Sequence, residues 1–148
     1  MANSVTRLNV LVVDDEPLAR GRLVRQLRTI SWVDRIDEAA NVGDALARIN
    51  LAAPDIMLLD IQMPDGTGFD LLRQMDRPVS AVVFVTAFDD QALAAFDACA
   101  VDYVTKPIEP GRLHAALDRA RNTACQRASQ DRVNELEEVV AALRARAG

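Results

Sequence analysis

Four short stretches each set a polar or charged side chain directly after an apolar run: "LVVDDEP" at 11–17, "LLDIQMP" at 58–64, "FVTAF" at 84–88 and "YVTKP" at 103–107. They supply Asp14, Asp15, Asp60, Thr86 and Lys106. Three carboxylates gathered at one place repel one another unless a hard cation holds them. Mg²⁺ suits such a cluster, because it takes oxygen ligands in octahedral geometry and keeps positions for water and a phosphate oxygen. A carboxylate beside it can attack phosphorus and become an aspartyl phosphate. Asp60, at the end of a rigid apolar run, is the candidate nucleophile. Lys106 is the only lysine in a chain that otherwise uses arginine. Its compact ammonium can pair with one phosphoryl oxygen while the Thr86 hydroxyl donates to another.

Each residue alone has a plainer role. Asp14 or Asp15 can cap a helix starting at Pro17, and Asp65 in "MPDG" reads as a turn residue. Thr86 suits any strand, Lys106 any solvated surface, and Tyr103 plain packing. The joint placement of five such residues after apolar runs is what points to chemistry.

Those runs read as strands at 8–13, 34–39 (weakly), 55–59, 81–85 and 101–105, separated by helix-period segments at 17–29, 42–51, 66–76, 89–97 and from 110 onward. Pro17 and Pro110 stand where a helix begins. Nearly all-apolar strands alternating with helices predict an α/β fold, a doubly wound five-stranded parallel (βα)5 sheet of flavodoxin-like order. Right-handed crossovers then cover both faces and bring the strand carboxyl ends to one edge.

The last helix changes character along its length. Leu113, Ala116, Leu117 and Ala120 can pack on the sheet, whereas Val133, Leu136, Val140, Leu143 and Ala147 follow heptad a and d spacing. The spacing predicts one continuous or lightly broken helix leaving the domain, with residues 1–121 as the domain and 122–148 as a helical linker, a short dimeric coiled coil in which Arg132 pairs with the partner's Glu137.

The 148 residues suffice for one core, and the net charge of -5 argues against a broad nucleic-acid footprint. No stretch approaches the roughly 20 apolar residues of a membrane span, so a cytosolic location is expected. Cys99 and Cys125 are too few for a disulfide framework and are expected to be reduced and structural, and His114 alone cannot anchor a histidine metal site.

"LVVDDEP", "DIMLLDIQMPDGTGFDLL", "VVFVTA" and "AFDACAVDYVTKPI", in this order, resemble the receiver domain of two-component response regulators over roughly residues 7–121. "FDACAVDYVTKP" is most similar to receivers of LytTR-type transcription regulators, in which a DNA-binding domain follows. The resemblance implies Asp60 as phosphoacceptor from a sensor histidine kinase, and Mg²⁺ held by Asp14, Asp15, Asp60 and the Gln62 backbone carbonyl. It implies Thr86 and Tyr103 as switch residues, Lys106 as phosphate partner with a cis bond to Pro107, and a helix 4/strand 5/helix 5 signalling face on which a homodimer forms. DNA would be reached only through an output domain outside this chain. Such a domain is a phosphoacceptor rather than an enzyme proper.

Some positions depart from the family's commonest pattern. Cys99 stands where many receivers have glycine, a place that can require positive φ. Phe88 and Gln62 sit where the family tunes phosphoryl lifetime. Arg22, Arg25 and Arg28 line one face of the first helix, either solvated or docking the kinase. Two other readings stay open: a stand-alone dimerisation module, and an aspartyl-phosphate phosphohydrolase, against which Gln62 replaces the second acid such enzymes carry.

Overall fold

The protein, described for residues 6–88 and 90–147 of a computed structural model, is built on three short runs in which almost every side chain is buried. These are β1 (Leu8–Val13), β3 (Ile56–Leu59) and β4 (Ala81–Thr86). With β2 (Val33–Ala39) and β5 (Asp102–Thr105) they form one parallel sheet of order β2-β1-β3-β4-β5. β2 is an edge strand pairing only with β1, and its exposed Asp34, Arg35 and Glu38 explain the weak apolar signal. Charge on such an edge also discourages pairing with another chain.

The helices follow the expected alternation: α1 (Pro17–Arg28), α2 (Val42–Leu51), α3 (Gly68–Gln74), α4 (Ala92–Asp97) and α5 (Pro110–Ala147). The expected start of the fourth helix at Asp89 lies outside the described residues, as does the start of the polar leader. α3 begins two residues later than its pattern predicts, because Gly66–Thr67 pair antiparallel with Gln62–Met63 in a hairpin. Thr67 then caps α3 in a reciprocal capping box with Asp70. At Gly68 an added Cβ would lie 2.6 Å from the Asp60 carbonyl oxygen, so only glycine lets this helix start so close to β3.

Strand alternation divides the core into two layers. Val10, Val12, Ile56, Leu58, Val83 and Val104 face α1 and α5. Leu11, Val13, Met57, Leu59, Phe84 and Tyr103 face α2, α3 and α4. Burial of this kind stabilises by roughly 25 cal/mol per Å² of apolar surface, and it fixes the register because a one-residue slip would exchange the layers.

α5 is one helix of 38 residues. Its buried positions, Leu113, Ala116, Leu117, Ala120 and Ala124, repeat every three or four residues and then stop. Beyond Cys125, which packs partly on the core, every described residue of the helix is exposed. Arg127 reaches back to the Val79 and Ser80 carbonyls, the last tie to the domain. Cys125 thus meets its structural expectation, whereas Cys99 is exposed on a turn. With φ of 66°, Cys99 adopts the left-handed conformation glycine holds more easily.

A second joint fastens α5 to the sheet, unforeseen in the sequence. Asp102, only 2% exposed, accepts two hydrogen bonds from Arg112 at 2.9 and 2.7 Å, and Arg112 also donates to the Tyr103 carbonyl at 2.9 Å. Arg119 stands 3.5 Å away. Burial by itself would raise the Asp102 carboxyl, but the Arg112 and Tyr103 N–H hydrogen bonds outweigh it and hold the group below the usual carboxylate range. A depressed folded-state pKa contributes stability above the unfolded value of about 4 that is lost as pH falls through the folded value. Asp102→Asn is therefore expected to lower stability at pH 7 by about 1–3 kcal/mol. The deficit should shrink as urea midpoints are followed from pH 5 to pH 3; a constant deficit would show that the carboxylate charge does not hold the joint.

Candidate functional site

The strand order reverses direction at β1, which has β2 on one side and β3 on the other, and this opens a crevice at their carboxyl ends. Backbone hydrogen bonds continue the sheet one residue past each strand into the crevice. The Asp14 N–H donates to the Ala39 carbonyl at 3.0 Å, the Asp60 N–H to Val13 at 2.9 Å, and the Lys106 N–H to Thr86 at 2.8 Å. Asp14, Asp60 and Lys106 each stand two residues beyond a side chain of the α1/α5 layer, namely Val12, Leu58 and Val104. Strand alternation thus carries all three toward one side of the sheet edge.

The result is an ion triad. Lys106 Nζ lies 2.8 Å from Asp14 Oδ2 and donates to Asp60 Oδ2 at 3.1 Å, with all three side chains largely withdrawn from solvent. The remaining oxygens are also engaged: Asp14 Oδ1 accepts from the Glu16 N–H at 2.9 Å and Asp60 Oδ1 from the Ile61 N–H at 2.7 Å. Asp15 joins as the third acid, and one oxygen from each of Asp14, Asp15 and Asp60 lies within 4.8 Å of the others. Burial pushes the Asp14 carboxyl above its ordinary value against the pull of Lys106 and the Glu16 N–H. Burial also works against the Lys106 ammonium, yet the two carboxylates more than compensate and raise its pKa. One ammonium therefore serves a cluster of three acids. A set of hard oxygens with excess negative charge in a cleft suits a small divalent cation.

The other expected residues stand nearby. Thr86, fully buried at the end of β4, accepts a long hydrogen bond from the Phe88 N–H at 3.3 Å. Tyr103 is 8% exposed, in register with Phe84, their ring centroids 6.4 Å apart. Gln62, in the hairpin after Asp60, is exposed. The Lys106–Pro107 peptide bond is cis, as expected. Asp14 turns its carboxylate to the chain just ahead of α1, whose N-cap is Glu16 without a side-chain cap bond. Asp65 has more to do than occupy a turn: both its oxygens bind the backbone of α2. Arg22, Arg25 and Arg28 are exposed, opposite buried Leu23 and Leu27. Arg22 and Arg25 border a groove of about 680 Å³ with exposed Leu18 and the β5–α5 turn. Phe88 is 39% exposed. Among the described residues, no helix is long and apolar enough to cross a membrane.

Comparison with known proteins agrees with this geometry. The response regulator receiver domain family matches residues 10–118. An uncharacterized response regulatory protein of Vibrio vulnificus is 42% identical over 87% of this chain and 54% of its own. The transcriptional regulatory protein BtsR of Salmonella typhi is 41% identical over 84% of this chain and 51% of its own. The chain thus spans about half the length of these curated relatives. Among solved structures, NtrX from Brucella abortus superimposes with a TM-score of 0.75 at 27% identity, over 86% of this chain and 29% of that one.

The triad sets its own test. Removing the ammonium leaves two buried carboxylates facing each other without a counter-charge, the kind of loss that costs about 3 kcal/mol or more. Lys106→Met should lower the unfolding free energy from denaturant titration by that order, and Lys106→Met/Asp60→Asn should recover part of it. No recovery would mean that repulsion between the acids is not what Lys106 offsets.

Proposed function

The chain belongs to the response regulator receiver domain family, and on that premise we propose that Asp60 accepts a phosphoryl group from a sensor histidine kinase with Mg²⁺ bound at Asp14, Asp15 and Asp60. The observation that carries this reading is the buried triad in which one ammonium holds Asp14 and Asp60. Asp14, Asp15 and Asp60 would hold the cation together with the Gln62 carbonyl. When bound, Mg²⁺ neutralises charge on the transferred phosphoryl group. Asp60 contributes the attacking oxygen, and the rigid β3 ladder aims it. Lys106, already beside Asp60, pairs with a phosphoryl oxygen, and Thr86 donates its hydroxyl to another. The chain is a phosphoacceptor that assists its own phosphorylation and dephosphorylation. Phe88, half-exposed after Thr86, screens the acyl phosphate from water.

Phosphate contacts present in only one arrangement of Thr86 and Tyr103 shift the population toward that arrangement. The shift is read on the α4–β5–α5 face, where Arg112 grips the Tyr103 carbonyl. The kinase docks at the groove beside α1, with Leu18 as apolar anchor and Arg22 and Arg25 as charged flank.

Residues 1–121 are the receiver and 122–148 a helical linker, a division that the end of burial at Ala124 supports. Val133, Leu136, Val140 and Leu143 are exposed along the free part of α5 and pair with a second copy, which gives a cytoplasmic homodimer. The wording "FDACAVDYVTKP" and transcriptional regulatory relatives support a LytTR-type regulator whose DNA-binding output lies beyond this segment.

Two outcomes are expected. Acetyl phosphate with Mg²⁺ should add one phosphoryl mass to the intact protein, chelation should abolish the addition, and Asp60→Asn should show none; labelling that survives Asp60→Asn places the acceptor elsewhere. Leu136→Glu should reduce the solution mass to that of a monomer in light scattering without changing Asp60 labelling. A mass unaffected by the charge would remove the helix from the dimer interface.

A further inference from the structure

The loop that carries both Asp60 and Gln62 is fastened to a neighbouring helix by a residue that touches neither the acid cluster nor any expected phosphate contact. Asp65 lies at the tip of the hairpin and is exposed. One of its oxygens accepts from the Val42 N–H at 2.8 Å and the other from the Gly43 N–H at 3.0 Å. Both donors belong to the first turn of α2, where backbone N–H groups have no partner within the helix. Those two N–H groups also hold the Asp65 carboxyl below its ordinary range. α2 does not depend on Asp65 for its cap, because the Asn41 side chain already accepts from the Asp44 N–H at 2.8 Å.

The next residue of the loop also lies close to the start of α2. Gly66 has φ of 151°, and a Cβ there would meet the Val42 side chain at 3.4 Å and Asp70 at 3.2 Å. At the other end, the Gly68 N–H donates to the Ile61 carbonyl at 2.7 Å, and Gln62 and Met63 pair with Thr67 and Gly66. The hairpin is only two residues long on each side, too short to be rigid alone. Besides the Thr67–Asp70 capping box, it is attached at its base, Gly68 to Ile61, and at its tip, Asp65 to α2. The backbone of Gln62 lies between them.

We infer that Asp65 is a positioning residue for cation binding: by clamping the hairpin tip to the start of α2, it holds the Gln62 carbonyl in place for a divalent ion shared with Asp14, Asp15 and Asp60. The inference rests on the metal reading above and assigns to Asp65 no contact with the ion. A group that orients a ligand in this way affects affinity, because an unclamped carbonyl must be ordered each time the ion binds.

The experiment uses the whole chain and Mg²⁺ alone, followed by amide NMR shifts at the ends of β1 and β3. Asp65→Ala should raise the Mg²⁺ dissociation constant about tenfold. In metal-free protein it should also speed amide hydrogen exchange at Gly68, whose N–H closes the base of the hairpin. A purely structural role is separated by Gly43→Ala, which adds a methyl group with only ordinary contacts at 3.5 and 3.6 Å and strengthens α2. Asp65→Ala/Gly43→Ala should regain thermal stability and keep the weakened Mg²⁺ affinity. Full return of affinity in the double variant, or unchanged affinity in Asp65→Ala, would overturn the positioning role. Absence of any Mg²⁺ response in the unaltered protein would instead overturn the metal reading on which it stands, whatever the exchange rates show.

Discussion

Repulsion among buried carboxylates is the constraint around which this molecule is arranged. Asp14 and Asp60 are withdrawn from water, and Asp15 lies close enough to act with them. Desolvation makes every charge in such a place costly, and like charges add to the cost. The fold meets the problem with one ammonium at 2.8 and 3.1 Å from two of the acids and with backbone N–H groups on their other oxygens. That is enough to hold the cluster together and too little to neutralise it. A site left with excess negative charge is inherently receptive to a cation, and receptivity is what a phosphoacceptor centre requires.

The sheet supplies the precision. Asp14, Asp60 and Lys106 lie one residue or less beyond hydrogen-bonded strands, so their backbones inherit the rigidity of the ladder rather than the freedom of a loop. Fully buried β1, β3 and β4 make that ladder costly to shift, because a slip would turn apolar residues into the crevice and carboxylates into the core. Where the chain must leave the ladder, local devices replace it. Gly68 permits α3 to start against the Asp60 carbonyl, the capping box closes the helix, and Arg112 pins β5 to α5 beside Tyr103. The side chains at the edge depend on these fixed supports.

Much of this was legible in the sequence because two periodicities did the work. Nearly all-apolar runs of four to six residues bounded by turn residues fit strands covered on both faces, and their alternation with helices selects a parallel doubly wound sheet. A residue just past such a run is then at the crevice, which is why Asp14, Asp60, Thr86 and Lys106 could be named in advance. What escaped was set by tertiary proximity. The Asp102–Arg112 joint spans ten positions and the Asp65 tether more than twenty, with no periodic signal connecting the partners. The hairpin of Gln62–Met63 with Gly66–Thr67 is too short to register as a pattern, and it moved the start of α3. The charged edge strand β2 was faint for a related reason, since solvent on one side removes the apolar run.

The chain's two kinds of cation are used in different ways. Arg112 spreads a planar fork over Asp102 and the Tyr103 carbonyl with three short hydrogen bonds, a geometry that locks two elements together and resists re-pairing. In the proposed function, Lys106 sits where re-pairing is the point. An ammonium is a compact charge on a flexible stem, with no preferred plane, and it can keep one acid while turning to a new oxygen a few ångströms away. A guanidinium in the same cleft would bind a carboxylate through both arms and be correspondingly harder to release. With arginine used everywhere else, the single lysine stands, among the described residues, where β1, β3 and β5 share a charge, and in the proposed function that contact is the one that changes while the arginine joints persist.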